Sequence, residues 1–228
     1  MKAYTYLLVD LACISIPLIA SFYKKHAFYK DWKPFIKANL IISLLFLIWD
    51  ALFVQKGIWG FNNTYLSGFY ITNLPIEEIL FFICIPFSCV FTYFSTVYLI
   101  KNNPLKNIQC YMTLVVILIL LFTAIINYNK LYTSVTFFVT SAYLSIHLLK
   151  KTDLSYHYLS YILVLPFFFI SNGILTGSFI VDPIVWYNDA ENLGIRLGNI
   201  PIEDSVYGLL LIISNIDLYR YFKQKSHS

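Results

Sequence analysis

Long apolar runs alternate with short polar segments along this chain, near residues 5 to 22, 36 to 54, 75 to 99, 108 to 127, 131 to 149, 158 to 176 and 202 to 221. Each is close to the roughly 17 to 25 residues that cross a hydrocarbon core about 30 Å thick as an α-helix. The pattern predicts an all-α integral membrane protein with seven transmembrane helices and almost no extramembrane domain. The first run is followed by "SFYKKHAFYKDWK" and has no small-residue cleavage site, so it reads as a retained span and not as a signal peptide.

Composition agrees with that class. Of 228 residues, 59% are hydrophobic and 12% charged, where a soluble domain carries about a quarter charged residues. The basic residues are unevenly shared between the two sets of loops. Twelve fall on one side (Lys24, Lys25, Lys30, Lys33, Lys37, Lys101, Lys106, Lys150, Lys151, Arg220, Lys223 and Lys225) and four on the other (Lys2, Lys56, Lys130 and Arg196). Since the cytoplasmic side holds the excess, the N-terminus is expected outside and the C-terminus in the cytoplasm of a multi-pass cell-membrane protein. The net charge of +4 is then a topology signal. A nucleic-acid partner would need a solvent-exposed basic face that this pattern lacks.

Little points to a metal or a bound cofactor. Cys13, Cys84, Cys89 and Cys110 all lie in apolar runs without zinc or redox spacing, and His26, His147, His157 and His227 are scattered along the chain. No glycine-rich strand–turn–helix fingerprint argues for a flavin or nicotinamide.

The chain repeats itself. "GFYITNLPIEEILFF" (68 to 82) and "GIRLGNIPIEDSVYG" (194 to 208) align Asn73 with Asn199, Pro75 with Pro201, Glu77 with Glu203, Glu78 with Asp204, Phe81 with Tyr207 and Phe82 with Gly208. The offset, 203 − 77, is 126 residues, and it also carries the first span onto the fifth. "IWDALFVQKG" similarly resembles "ISNGILTG", with Asp50 opposite Asn172 and a following loop four residues longer in the second copy. The chain therefore reads as a first three-helix repeat (residues 1–100), a connecting helix (101–130) and a second repeat (131–228). An odd-numbered unit repeated directly would insert upside down; the single extra crossing restores its orientation and yields a parallel 3+1+3 repeat.

"NLPIEE" alone could be an ordinary helix start, with Asn before the entry, Pro near the first helical position and acids in the first turn. What favours a site is convergence. Asp10, Asp50, Asn172 and both acidic pairs fall within roughly 8 Å of the outer boundary at about 1.5 Å per residue, and charged groups inside spans usually face the bundle interior and mark function. Asp217 near the inner end, three residues before Arg220, reads as half of a structural ion pair. Aromatic residues make up 19% of the chain. Most serve packing and the membrane interfaces, yet aromatic faces beside buried acids also suit carbocation chemistry from which water is excluded.

The duplicated N-x-P-I-E-[ED] motif, "SNGILTG", "YNDAENLGIRLGNIPIED" and the small heptahelical chain together resemble the integral-membrane lycopene cyclases, over essentially the whole chain and more specifically in its second half. This chain resembles the fused form, each half corresponding to one subunit of the two-subunit cyclases. The resemblance implies isomerisation without net redox change. A linear carotene end group is protonated, a nearby double bond attacks the cation, and loss of a proton leaves a cyclohexene ring of the β-ionone type. The implied partners are the lipid bilayer, a carotene and other carotenoid enzymes. The expected catalytic residues are Glu77, Glu78, Glu203 and Asp204. Asp50, Asn172, Phe81, Phe82, Tyr207 and Arg196 are expected to contact substrate, and Asn73, Pro75, Asn199 and Pro201 to hold the motif.

The two copies differ at Asp50 against Asn172 and at Tyr70 against Arg196, so unequal roles are expected. Glu77 or Glu78 would donate the proton, and Glu203 or Asp204 would stay ionised beside Arg196, because a nearby opposite charge favours the ionised carboxylate. The rival class is a small-solute transporter of the 3+1+3 plan. Its Pro-Gln signature is missing, because Leu18 follows Pro17 and the matching helix has no proline. Helix seven also has no internal lysine for a retinal Schiff base.

Overall fold

The computed structural model describes residues 2–25 and 27–227; His26, one of the scattered histidines, lies outside them. Among the described residues seven α-helices follow one another: α1 (Thr5–Ala20), α2 (Trp32–Gln55), α3 (Ile76–Leu99), α4 (Gln109–Ile126), α5 (Leu131–Leu149), α6 (Ser155–Leu175) and α7 (Ile202–His227). The connections carry three small antiparallel ribbons. One pairs β1 (Trp59–Phe61) with β4 (Val185–Tyr187); the others are the hairpins β2 (Tyr70–Ile71) with β3 (Leu74–Pro75) and β5 (Arg196–Leu197) with β6 (Ile200–Pro201).

Each predicted span holds a helix, and two helices run past their apolar runs. α2 starts at Trp32, ahead of its run, and takes in Lys33, and α7 continues beyond its run through Lys223 and Lys225. Long basic side chains lay their methylenes along apolar surface while holding the charge beyond it, so a helix continues where hydropathy has already fallen. Five helices are long and apolar enough by themselves to cross a membrane: α1 to α4 and α6. α5 and α7 are more polar, but Thr133, Thr136, Thr140 and Ser141 on α5 and Glu203, Asp204, Ser214 and Asn215 on α7 are buried. Their polarity faces the bundle.

Two of the prolines inside the helices leave carbonyls that neighbouring helices satisfy. Pro17 and Pro86 have no N–H, which frees the carbonyls four residues earlier. Ser88 of α3 donates to Cys13 O at 3.0 Å, and Asn39 and Ser43 of α2 donate to Phe82 O at 3.0 and 2.6 Å. In hydrocarbon an unpaired carbonyl would cost several kcal/mol, so these bonds fix which helix faces the other.

α2 packs most extensively against α7, and α6 packs more against α3 than against α7, so the second helix of each half leans on the other half. At the end bearing the acidic motifs, β1 and β4 join the two halves. Their register sets Gly60 opposite Trp186, and a Cβ on Gly60 would lie 2.4 Å from the indole. At the far end Tyr219 and Lys223 of α7 both donate to Asp31, at 2.8 and 2.5 Å.

Asp217 departs from expectation. It does not pair with Arg220; it accepts from Tyr143 at 2.7 Å and lies 2.9 Å from His147 Nε2 and 3.1 Å from His157 Nε2. On a helix, residues three apart can meet, but α5 and α6 bring three better-placed partners across the bundle. Two of the scattered histidines thus converge.

Candidate active site

The hairpins explain how each acidic motif is aimed. Thr72 and Gly198 take the same left-handed turn conformation (φ 57° and 65°), as do Gly68 and Gly194 (φ 87° and 71°). The first helical N–H groups then bond back to the loop, Ile76 N to Phe69 O at 2.9 Å and Ile202 N to Ile195 O at 3.0 Å. Pro75 and Pro201 end the hairpins immediately before α3 and α7. The asparagines do not cap these helices, contrary to the helix-start reading. Asn73 sits in the hairpin turn and donates to Ala51 O of α2 at 2.8 Å, while Asn199 donates to Ser178 Oγ at 3.2 Å. A two-residue turn points them outward, so they tie the hairpins to the preceding segments.

Within each acidic pair the two carboxylates do different things. Glu77 and Glu203 are fully buried and turn toward their loops: Ser67 N donates to Glu77 at 2.6 Å and Leu193 N to Glu203 at 2.7 Å, with Thr133 Oγ1 adding a bond to Glu203 at 2.5 Å. Glu78 and Asp204 keep 8% and 6% exposure and line a cavity of about 700 Å³. Successive helical residues point about 100° apart, so one of each pair holds the loop and the other reaches the cavity.

That cavity is shared by both halves. Asp50, Asn172, Phe81 and Tyr207 line it with Glu78 and Asp204, and so do Tyr6, Trp59, Tyr132 and Tyr187. Tyr6 donates to Glu78 at 2.5 Å. Asp204 receives three donors, Tyr132 at 2.5 Å, Asn172 at 2.7 Å and Tyr187 at 2.8 Å. Asp50 accepts from the Trp59 indole, its other oxygen has no partner, and the Tyr207 hydroxyl is likewise buried and unpaired. Trp59, Tyr132 and Tyr187 form an aromatic cluster, with Trp59 and Tyr132 centroids 5.0 Å apart and Tyr132 stacked on Tyr187 at 5.9 Å. Asp10 is buried without a hydrogen-bond partner and is an electrostatic neighbour of Glu77.

Two expected substrate contacts lie elsewhere. Phe82 does not line the cavity; it packs into the core with Ile42, Phe46, Leu210 and Leu211. Arg196 is also outside it, and the charge argument built on it does not hold. Its guanidinium donates to Asp189 at 2.5 Å and to Asn199 O at 2.8 Å, on the rim. Desolvation of Asp189 works the other way, but the bonds from Asn192 and Arg196 together with the Arg196 charge hold that carboxyl below its usual range. A half-buried hairpin residue reaches a solvated partner more cheaply than a buried one, and Arg196 approaches Asp204's surroundings through the Tyr187 ring, 5.9 Å away.

Tyr6, Tyr132 and Tyr187 escaped the sequence reading. Tyr6 and Tyr132 stand 126 residues apart, the same spacing as the acids they touch, which was the available signal. Tyr187 carried none, because its repeat counterpart is Phe61 and only the fold of β4 brings it to Asp204.

A bundle of apolar helices with two copies of one acidic motif opening on a common cavity defines a duplicated membrane protein. The family model described as lycopene cyclase matches the chain twice, over residues 3–96 and 129–222, again displaced by 126 (129 − 3). The chain belongs to the lycopene cyclase family. No curated relative and no solved structure matches. Membership supports carotenoid cyclisation as the class of activity and does not favour transport.

Proposed function

We propose that this protein closes β-ionone-type rings at the ends of lycopene or a closely related linear carotene, with Glu78 as proton donor and Asp204 as proton acceptor. The Glu78 proton adds to the terminal C=C of the acyclic end and leaves a tertiary cation. The electrons of a nearby C=C attack that cation and form the ring-closing C–C bond. The resulting ring cation loses a neighbouring proton to Asp204, and the C–H electrons become the ring C=C. One proton enters and one leaves, so the reaction is redox-neutral and balances within the substrate and two carboxyl groups.

The observation that carries this reading is the unequal hydrogen bonding of the two acids on one cavity. Three donors on Asp204 suit a carboxylate standing beside a cation, since each bond to a charged group contributes about 1.5 to 3 kcal/mol. Glu78 has the single Tyr6 donor on one oxygen, which leaves the other to carry a proton toward the cavity. Paired carboxyls in unlike surroundings are how one site holds an acid and a base together. The rings of Phe81, Trp59 and Tyr207 would each stabilise a nearby cation by about 0.5 to 2 kcal/mol and keep water from it.

We further infer that all seven helices span the bilayer as 3+1+3, with residues 1–100 and 131–228 as the cyclase units and 101–130 joining them. The N-terminus and the acidic motifs face outward, because twelve of the sixteen Lys and Arg residues sit toward the opposite end. The test is expression in a lycopene-accumulating bacterium with chromatography of the pigments. Cyclic carotenes are expected from the wild type, and unchanged lycopene from Glu78→Gln at equal membrane level. Unchanged lycopene with inserted wild-type protein, or full cyclisation by Glu78→Gln, defeats the proposal.

A further inference from the structure

The cavity is far longer than its polar end. Along α1 its lining runs from Thr5 to Pro17 and along α3 from Glu78 to Thr92, about 18 and 21 Å at 1.5 Å per residue. The carboxyl groups sit at one end only, and the remainder is walled by residues such as Ala12, Ile85, Val164 and Ile212. On one flank the wall is also the outer surface of the bundle: Leu8 and Ile16 of α1 and Phe167 and Ile170 of α6 line the cavity and are each more than half exposed. The slot therefore opens sideways between α1 and α6, both of them apolar helices of membrane-spanning length.

The repeat explains why the slot is open on this side. At the corresponding place in the other half, Trp49 of α2 packs on Phe46 and Tyr207, with centroids 5.8 and 5.3 Å apart, and Phe82 of α3 packs on Phe46 at 6.1 Å. The counterparts of Trp49 and Phe82 are Ser171 and Gly208, and both line the cavity. Two large rings fill one groove; a hydroxymethyl group and a hydrogen leave the other open. Within the slot, Ser88 Oγ lies 3.0 Å from the carbonyl released by Pro17 and 2.9 Å from Cys84 O, so the freed carbonyl shares that hydroxyl proton and does not face an apolar chain bare.

We propose that an extended apolar polyene passes from the bilayer through the α1/α6 gap and lies end-on in this slot, its acyclic end at Glu78 and Asp204 and its chain running past Ala12 toward Pro17 and Thr92. Each binding event then presents one end. This rests on the cyclase reading, and the test separates the two. Membranes carrying wild-type, Ala12→Trp or Ser171→Trp protein are supplied with a full-length linear carotene, and separately with a truncated apocarotenoid bearing the same acyclic end. The truncated chain is chosen to stop short of Ala12, which lies about 9 Å along α1 from Tyr6. Ala12→Trp is expected to lower conversion of the full-length carotene by about tenfold or more and that of the short substrate by less than about twofold. Ser171→Trp, which installs the indole that α2 already carries at the matching position, is expected to show the same chain-length bias. Continued turnover of the short substrate reports a folded protein within each variant. Equal effects on the two substrates, or no effect on the longer one, overturn the slot. A wild-type protein that converts neither substrate overturns the cyclase reading and the slot with it.

Discussion

The two halves of this protein present the same pair of acids from the same kind of hairpin, yet surround them differently. Tyr6 and Tyr132 make the same bond, to Glu78 and to Asp204. The difference comes from the neighbours. Where the second half has Tyr187 and Asn172 donating to Asp204, the first has Phe61, which lacks a hydroxyl, and Asp50, which is itself an acceptor for Trp59. Duplication supplied two carboxyls to one cavity, and divergence at two neighbouring positions made their environments unlike. The same division separates the open slot beside Ser171 and Gly208 from the filled groove beside Trp49 and Phe82.

The comparison is broken most severely at the cavity-facing acids. Glu78→Gln and Asp204→Asn are each expected to reduce ring formation by about 10² to 10⁴-fold, the range for a positioned proton-transfer group, measured as cyclised pigment per membrane-inserted protein. A next, smaller effect is expected on making Asp204 resemble Glu78. Tyr187→Phe removes one bond to a charged group, about 1.5 to 3 kcal/mol, and should slow cyclisation by roughly 10 to 100-fold; an unchanged rate would show that this donor is idle.

The loop-facing acids should behave otherwise. Glu203→Gln weakens the bonds from Leu193 N and Thr133, so thermal stability in detergent is expected to fall by about 1 to 3 kcal/mol while turnover per folded molecule stays within about threefold. A turnover loss matching that of Asp204→Asn would contradict the division of labour within the pair. Arg196→Tyr, which copies Tyr70 of the first half, should matter least. The pair with Asp189 lies at the surface, with Arg196 half-buried and Asp189 exposed, a class contributing about 0 to 1 kcal/mol, and pigment yield is expected to change less than about twofold.

The positions of all seven helices could be read from hydropathy, and the duplicated motif from simple alignment. The reading failed where a side chain's direction decided the matter. Glu77 and Glu78 are adjacent in sequence and equally acidic, so nothing in the string says which faces the cavity. Arg196 looked like the natural partner of the second acid because it is the nearest positive charge in sequence; in space it turns to the rim. Asp217 looked like a partner for Arg220, three residues on, yet it collects His147, His157 and Tyr143 from two other helices.

What this chain determines by itself is the class of element and its repetition, because an apolar run of spanning length has few alternatives to a helix in lipid and a repeated motif repeats its local hydrogen bonds. Asn73, Pro75 and the positive-φ Gly68 recur as Asn199, Pro201 and Gly194 and rebuild the same hairpin. The tertiary structure alone decided that α2 leans on α7 and α6 on α3, that β1 pairs with β4 so that Trp59 and Tyr187 stand side by side, and that one cavity serves both acids. Those outcomes depend on which side chains fill space between helices distant in sequence. A packing preference between Trp49 and Tyr207, 158 positions apart (207 − 49), leaves no periodic or local trace in the chain that encodes it.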